Sequence, residues 1–245
     1  MVWVQRFSVI LFLGSFFCWP AQAAEPWRLL DDGRIELEQG QVLRLASIRL
    51  VEQKGLKIKA DALIRELLSN QDWSVGEPTI KDRYGDLVGI IEFSDGKSLQ
   101  TALIEKGLAR VYPQVGEGSD LSALFQSENV ARETRSGLWA LNIYQVVSAE
   151  EAVPQRFDLR NYYQLVEGTI VAVAKVRGNI YLNFGEDWRE DFTIMIPKSF
   201  AKSVVAQGLN YKDLEGKRVR VRGWFRLYGG PLIDVTDARQ IEELR

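Results

Sequence analysis

The stretch Val42-Leu43-Arg44-Leu45-Ala46-Ser47-Ile48 decides the fold, because Leu43 and Leu45 alternate with Arg44 inside it. Alternation at a period of two is typical of a half-buried β-strand. Another strand is predicted just upstream, within residues 28–37, and Glu38-Gln39-Gly40 between the two has the character of a hairpin turn. The first domain is therefore predicted to begin with paired strands over residues 28–37 and 41–50.

Amphipathic helices are predicted after this hairpin. Apolar residues recur at helical spacing from Ile58, again within residues 99–108, and in a third segment for which Ser119 or Asp120 is the candidate N-cap. The strands predicted between them cover residues 73–75 and 87–93. No βαβ repetition is present, so the pattern does not call for a parallel sheet.

Several fragments of the first half together carry a family pattern. They are residues 42–48, Asp82-Arg83-Tyr84-Gly85, Asp95-Gly96-Lys97-Ser98-Leu99, residues 102–111 and Gly137-Leu138-Trp139. Arriving in this order over most of residues 27–140, they resemble the thermonuclease (staphylococcal nuclease-like) family. The resemblance implies a five-stranded OB-type barrel with three helices.

The resemblance also implies a catalytic apparatus, which this sequence keeps only in part. Family enzymes cleave phosphodiesters with a calcium ion held by aspartates, a glutamate that acts on water, and two arginines that neutralise the phosphate. Arg44 matches the first arginine and Glu52 the glutamate, so these two are the vestigial catalytic candidates. Arg34 and Arg49 stand at the positions of metal-binding carboxylates, and Asp86 stands at that of the second arginine.

These exchanges predict a catalytically impaired protein with no metal ligands and no cofactor. Guanidinium groups at two ligand positions repel a divalent cation as well as failing to coordinate it. Calcium is implied only under the alternative of an active phosphodiesterase. Two other interpretations stay open: Arg44 is a strand-end arginine that pairs with a nearby acid while Glu52 is a solvated loop carboxylate, or Asp31, Asp32 and Asp86 form a different acidic cluster.

A second domain is predicted after a connector. Residues 24–140 form the thermonuclease-like domain, 141–160 a linker, and 161–245 a second domain whose order of strands, helix and strands is that of an OB-type barrel. Pro197 opens its helix. The fold class is therefore mainly β with helices (α+β), as two OB-type barrels in tandem. Residues 219–224 resemble the closing hairpin of bacterial OB-fold nucleic-acid-binding domains.

An arginine stripe is the most suggestive feature of this second domain. Arg218, Arg220 and Arg222 share one strand face at a period of two, and the aromatic residues Trp224 and Tyr228 follow closely. A positive stripe beside aromatic rings is how OB domains hold single-stranded nucleic acid. The alternative is a solvated strand face, on which acids such as Asp187, Glu190 and Asp191 pair with the arginines.

Charge is distributed unevenly between the halves. Residues 24–155 carry 15 Lys/Arg against 21 Asp/Glu, a net charge of −6, whereas residues 156–245 carry 15 against 12, a net charge of +3. The whole chain has a formal charge of −2 and a pI near 5.5, which excludes a uniformly basic nucleic-acid coat protein. The sequence has no histidine, the commonest general base and metal ligand.

The N-terminal residues have the pattern of a secretory signal peptide. Arg6 precedes an apolar run over residues 9–19, and Ala21-Gln22-Ala23 has the small-x-small form of a signal-peptidase site. The run is shorter than the ~20 apolar residues of a membrane-spanning helix. We expect residues 1–23, with Cys18, to be removed and the protein to be periplasmic or secreted; a retained anchor is the alternative.

Function classes that fit these patterns are a binding module, an enzyme and an adaptor. A binding module for single-stranded nucleic acid or an acidic envelope partner fits the altered catalytic positions and the arginine stripe. An active metal-dependent phosphodiesterase fits the family resemblance and the export signal. A protein-interaction adaptor fits the acidity of the first domain. The balance of residues favours the binding module and a protein that is not an enzyme.

Overall fold

The computed structural model describes residues 26–76, 80–114, 121–187 and 189–244. The expected signal peptide, residues 1–23, and the candidate caps Ser119 and Asp120 lie outside these ranges. Over the described residues, no helix has both the length and the apolar character needed to cross a membrane.

Short strands and α-helices build the first domain. The strands are β1 (Arg28–Leu29), β2 (Ile35–Glu36), β3 (Val42–Leu45), β4 (Ile48–Leu50), β5 (Trp73–Val75), β6 (Ile80–Lys81), β7 (Leu87–Gly89), β8 (Ile91–Phe93) and β9 (Ala109–Val111). The helices are α1 (Lys54–Asn70), α2 (Leu99–Glu105) and α3 (Ser122–Glu133). The three predicted helices are present, and β9 is a strand that periodicity did not predict.

The strands of the first domain pair around one core. β1, β2, β3, β7 and β6 form a sheet in that order, in which β3 and β7 are parallel. β4 pairs with β9, and β5 with β8. Ser47, with a φ of 61°, lies between β3 and β4. The single strand predicted over residues 41–50 is therefore bent, and its two halves belong to two different sheets. The bend curves the sheet around the buried side chains of Leu43, Ile91 and Leu103.

The buried face of α1 follows the apolar pattern with one exception. Ala60, Ile64 and Leu68 of α1, spaced four residues apart, are buried against the barrel, whereas Ile58 points to solvent. The Ser98 hydroxyl caps α2 by accepting the Thr101 N–H at 3.0 Å.

The second domain has its own strands and helices. The strands are β10 (Val147–Ser148), β11 (Tyr163–Thr169), β12 (Ala172–Val176), β13 (Asn179–Asn183), β14 (Thr193–Ile196), β15 (Arg218–Tyr228), β16 (Gly230–Asp234) and β17 (Ile241–Glu243). The helices are α4 (Ala149–Ala152), α5 (Arg156–Leu159) and α6 (Lys198–Ala206). As predicted, α6 follows Pro197, which is its N-cap residue.

Strand pairing closes the second domain into a barrel. β12 pairs with β13, β13 with β14, β14 with β16 in parallel, β16 with β15, and β15 with β11. β11 and β12 are separated only by Ile170 and Val171, so together they act as one bent strand that completes the circuit. This is the order expected of an OB-type barrel, with α6 between its third and fourth strands.

The segment over residues 141–160, expected as a linker, contributes to the second core. β10 pairs in parallel with β11, and Val147, Ala149, Ala152 and Leu159 are buried in the hydrophobic cluster of the second barrel. A capping box of Ser148 and Glu151 starts α4. The segment is therefore folded against the second barrel.

The two domains also share a hydrophobic cluster. Val51, Ala131, Leu138 and Trp139 of the first domain pack with Leu165 of β11. This cluster brings the end of β4, and the groove beside it, next to the second barrel.

Candidate functional site

A groove of about 500 Å³ opens on the first barrel where β3 and β4 approach the start of α1. Its charged lining residues are Asp32, Arg34, Arg44, Arg49, Glu52 and Lys57. A depression of about 970 Å³ shares Arg34 and Arg44 with it and adds Lys81, Asp82, Arg83 and Asp86. We call the two together the barrel groove. Both catalytic candidates, Arg44 and Glu52, line it.

Arg34 lies between two carboxylates in the barrel groove. Its Nη1 is 2.5 Å from Asp86 Oδ2, and its Nε is 2.7 Å from Asp32 Oδ2. Burial opposes the shift, but hydrogen bonds from the Arg34 backbone N–H and guanidinium lower the pKa of the Asp32 carboxyl below its ordinary value. Asp32 and Asp86 therefore do converge, but around a guanidinium rather than around a space for a cation.

The Arg34–Asp86 pair exchanges the charges of the family pattern. The resemblance places a carboxylate at position 34 and an arginine at position 86, and here each carries the opposite charge. In this chain the two side chains form an ion pair. A substitution at one position alone would leave a like-charge pair, so the two exchanges compensate each other.

Arg49 and Glu52 form a second ion pair at the mouth of the groove. The Arg49 guanidinium also lies 4.5 Å from the ring centroid of Trp224, a residue of β15 in the second barrel. The carboxylate that the resemblance assigns to water activation is thus paired with a guanidinium at a position where the resemblance implies a metal ligand. Glu52 remains largely exposed.

Arg44 keeps a position that faces the groove. Its Nε is 4.0 Å from Asp82 Oδ2, at the limit of an ion pair, and its side chain is partly exposed. The sequence left two roles open for Arg44, a structural ion pair and a phosphate contact. Both would use its partly exposed guanidinium, which faces the groove.

The residues of the groove do not fit a calcium ion. Calcium takes six to eight oxygen ligands, several of them carboxylates. Arg34 and Arg49 occupy two of the positions where the family has such carboxylates, and the acids beside them are paired with these arginines. Among the residues described, no three Asp, Glu, His or Cys side chains converge on one point.

The arginine stripe lies on one face of β15, as the period of two predicted, but its environment differs from the prediction. Val219 and Val221, on the opposite face, are buried in the barrel core. Arg222 is wholly buried, and it donates to Glu128 of α3 at 2.7 Å and to Glu242 of β17 at 2.5 Å. The first domain therefore covers this end of the stripe.

Exposure differs along the rest of the stripe. Arg220 is 9% exposed and pairs with Glu167 at 2.6 Å, whereas the side chain of Arg218 is 63% exposed and lies 3.2 Å from the same carboxylate. Arg220 and Arg222 thus present little or no guanidinium surface to a phosphate in solution. Neither a phosphate-binding stripe nor a solvated strand face describes these two residues, because both interpretations required exposure.

The two aromatic candidates of β15 point to different places. Trp224 is 36% exposed and its indole N–H donates to the Tyr112 hydroxyl of the first domain at 3.2 Å. Tyr228, at the far end of β15, is 76% exposed and borders a separate, largely apolar cavity of about 590 Å³ on the second barrel. The structure therefore brings Trp224, but not Tyr228, to the barrel groove.

Sequence reasoning missed the buried polar residues that join the domains. Glu128 is wholly buried and accepts the Val111 N–H at 2.7 Å, while the Tyr163 hydroxyl donates to the Val111 carbonyl at 3.1 Å. Arg110 donates to the Tyr163 carbonyl, and burial lowers the pKa of its guanidinium. A signal for Glu128 was available, because it falls at helical spacing on the apolar face that includes Leu124 and Ala131.

Comparisons with known proteins give matches that include the first domain. Residues 43–141 match the model of the Staphylococcal nuclease homologue family. Two proteins, one from Escherichia coli O157:H7 and one from Escherichia coli, are each described as an "Uncharacterized endonuclease". Each is 28% identical to this chain over 142 residues, covering 54% of the chain and 87% of the relative. By these matches, residues 43–141 are thermonuclease-like and similar to the staphylococcal nuclease homologue family.

Proposed function

We propose that this protein has lost the metal-dependent hydrolysis of its family and acts as an exported binding module that holds a phosphodiester chain in the barrel groove. The observation that carries the proposal is that two carboxylates of the groove are ion-paired with arginines. Arg34 lies 2.5 Å from Asp86, and Arg49 is paired with Glu52. Arginine at these positions supplies no ligand to a metal and holds the carboxylates away from that role.

The loss of catalysis follows from two deficits. Removing one cationic or hydrogen-bonding clamp from a transition-state charge typically costs about 10²–10³ in rate. Asp86 replaces such a clamp with a negative charge, and Arg34 takes up that charge rather than a phosphate. Without a metal ion, Glu52 would also have to act on an unactivated water.

Retention of binding is supported by the charge of the groove. Six cationic side chains line it, namely Arg34, Arg44, Arg49, Lys57, Lys81 and Arg83, against four carboxylates, those of Asp32, Glu52, Asp82 and Asp86. The chain as a whole has a net charge of −2. A local cationic surplus on an acidic protein favours a polyanionic ligand at that place.

An active phosphodiesterase is the alternative that the relatives favour. Both Escherichia coli relatives are described as endonucleases, and Arg44 and Glu52 still line the groove. An adaptor function is favoured by a different observation, the apolar cavity on the second barrel bordered by the exposed Tyr228 and Val176. An acidic envelope partner remains a candidate ligand for the groove itself.

The deciding experiment measures cleavage and binding on the same preparation. The mature protein is incubated with plasmid and single-stranded DNA and RNA in calcium, magnesium or chelator, and binding of labelled oligonucleotides is followed by fluorescence anisotropy at several salt concentrations. We expect no metal-dependent cleavage, and binding that weakens steeply with salt. Chelator-sensitive cleavage that disappears in Glu52→Ala would establish the phosphodiesterase instead. Absence of salt-dependent binding would favour the adaptor.

Groove binding is tested with two variants at exposed lysines, one in the groove and one away from it as the control. Lys81→Ala removes a cation that lines the groove, whereas Lys217→Ala removes one that pairs with Glu243 at the far edge of β15. Groove binding predicts a shallower salt dependence for Lys81→Ala alone, by roughly 0.7 in the logarithmic slope for a single strand.

A further inference from the structure

The barrel groove does not end at the first domain. Arg49, Leu50, Val51 and Glu52 line the groove and also a cavity of about 70 Å³ between the domains. The other walls of that cavity come mainly from aromatic residues of the interface, including Tyr162 and Trp224. A ligand that follows the groove past Arg49 therefore meets the second barrel.

Trp224 is held in place at this junction. Its indole N–H donates to Tyr112 at 3.2 Å, the Tyr163 ring meets it edge-on with centroids 6.0 Å apart, and the Arg49 guanidinium lies 4.5 Å from its centroid. Tyr112 and Arg49 themselves line the groove. Despite these contacts, 36% of Trp224 is exposed, and so is 46% of the neighbouring Tyr162.

A fixed and partly exposed indole ring, with a second exposed aromatic residue on the same cavity, suits one kind of ligand. Aromatic side chains bind nucleobases by stacking, and a ring that is already held in place loses little conformational freedom on binding. The cations of the groove supply the matching contacts to phosphate. In a duplex the bases are paired and stacked on each other, so only an unpaired base can reach such a platform.

We propose that Trp224 and Tyr162 of the second barrel form a base-stacking platform at the end of the barrel groove, which selects single-stranded oligonucleotides over duplexes. This inference rests on the proposed function and adds a residue-level specificity to it. It also gives the second barrel a role at the nuclease-like site that does not depend on the buried arginines of β15.

The test uses the full chain and three probes of equal length: an oligothymidylate, an abasic phosphodeoxyribose chain and a duplex. Affinities are measured by anisotropy for the wild type, Trp224→Leu, Tyr162→Leu, Trp224→Phe and the control Tyr228→Leu, after melting curves on each. We expect Trp224→Leu to weaken oligothymidylate binding roughly 5- to 150-fold, the range for one lost base stack. Binding of the abasic chain should not change.

The remaining variants separate stacking from folding. Trp224→Phe retains an aromatic face and should restore most of the affinity, and Tyr228→Leu, on the same strand but away from the groove, should bind as the wild type does. If Trp224→Leu does not fold, Tyr162→Leu decides by the same comparison. Oligothymidylate affinity that is unchanged in the folded leucine variants of Trp224 and Tyr162 overturns the platform.

The probes also distinguish this inference from the proposed function. A wild type that binds oligothymidylate and the abasic chain equally well has a phosphate-binding groove without a platform, so the proposed function stands and the inference fails. A wild type that binds neither probe at low salt overturns the proposed function. Duplex binding as tight as single-strand binding likewise overturns the platform.

Discussion

The guanidinium of Arg222 donates to the carboxylate of Glu128 at 2.7 Å, and both side chains are wholly buried between the two domains. Burial lowers the pKa of a guanidinium, but attraction to Glu128 and Glu242 outweighs it and keeps the pKa of Arg222 above its ordinary value. The ring of Phe125 lies 4.5 Å from the same guanidinium. The stability of each domain is therefore coupled to the presence of the other.

Breaking this pair should destabilise the whole chain. Glu128→Gln keeps the side-chain shape but leaves Arg222 without its wholly buried countercharge, and loss of one partner of a buried pair typically costs about 3–5 kcal/mol. Denaturant unfolding should show this loss in the free energy of unfolding. Lys217→Ala breaks an exposed pair with Glu243 and should change it by less than about 1 kcal/mol. A loss of similar size in both variants would contradict the coupling.

The arginines of β15 should separate into two classes in the full chain. Arg222→Ala should lower the melting temperature because it leaves the buried Glu128 carboxylate without its guanidinium partner. Arg220→Ala should lower it because it removes a largely buried guanidinium that pairs with both Glu167 and Glu242. Arg218→Ala should leave it nearly unchanged, since that side chain is mostly exposed. If the stripe contacts phosphate as the sequence suggested, all three should instead reduce the salt slope of oligonucleotide binding by about 0.7 each with little effect on melting.

The stripe shows where sequence reasoning works and where it stops. A period of two correctly places Arg218, Arg220 and Arg222 on one face, because side-chain direction is a local property of a strand. Whether that face meets solvent depends on a helix ninety residues upstream, which no local pattern reports. The helical spacing of Glu128 indicates a charged residue on an apolar helix face, but it does not identify Arg222 as the partner.

The first domain shows the same division. Apolar spacing predicted its helices, and the family resemblance predicted its barrel and pointed to Arg44 and Glu52, which line the groove. The exchanged charges at positions 34 and 86 were visible in the sequence. That these two charges pair is seen only in the folded structure. The strand β9 was also not predictable, because Ala109-Arg110-Val111 is too short for periodicity to separate it from the end of α2. Gly107 ends that helix with a φ of 61°, and a Cβ there would come within 2.1 Å of the Ser136 carbonyl oxygen.

The Asp32–Arg34 contact predicts a dependence of stability on acid. The pKa of the Asp32 carboxyl is lowered in the folded protein, so its contribution is present above the unfolded pKa, near 3.8, and is lost as the pH falls through the folded value. Asp32→Asn should therefore be less stable than the wild type at pH 7, and this difference should shrink as the pH falls below about 3.8. A difference in unfolding free energy that stays constant over this range would contradict the assignment.

The pKa of the Asp234 carboxyl is shifted in the opposite direction to that of Asp32. Burial raises the pKa of its carboxyl, although Arg226 acts in the other direction. The charged form is therefore disfavoured by folding, and wild type should gain stability relative to Asp234→Asn as the pH falls towards the pKa. Measuring both variants in one pH series controls for general acid effects on the chain.

Export predicts a defined mature N-terminus. If Ala21-Gln22-Ala23 is the signal-peptidase site, protein recovered from the periplasm or the medium should begin at Ala24. Ala23→Phe should block processing and leave the precursor at the membrane, because the site accepts small residues. Intact mass and N-terminal sequencing check both outcomes. Unprocessed protein in the cytoplasm would contradict the export prediction.

Restoring the family charges should restore the response to metal. In Arg34→Asp/Arg49→Asp/Asp86→Arg, two carboxylates return to the ligand positions and a guanidinium returns to the second phosphate position, while the 34–86 ion pair is kept with its polarity reversed. Calcium at ten times its Kd should then stabilise the folded state by about 1.4 kcal/mol and so raise the melting temperature. The wild type should not respond to millimolar calcium, because Arg34 and Arg49 offer no ligand.

The double variant Arg34→Asp/Asp86→Arg is the matched control, since it keeps the ion pair but leaves Arg49 at the second ligand position. We expect its calcium response to be weaker than that of the triple variant, because Arg49 still repels the cation and still pairs with Glu52. Melting curves of both are compared at equal calcium, and cleavage of single-stranded DNA is scored in parallel. A triple variant that folds but shows neither a calcium shift nor cleavage would mean that the loss of metal binding does not lie in these three charges. A calcium shift in the wild type would mean that other oxygen ligands hold a metal, and it would remove the main argument for a protein that binds without cutting.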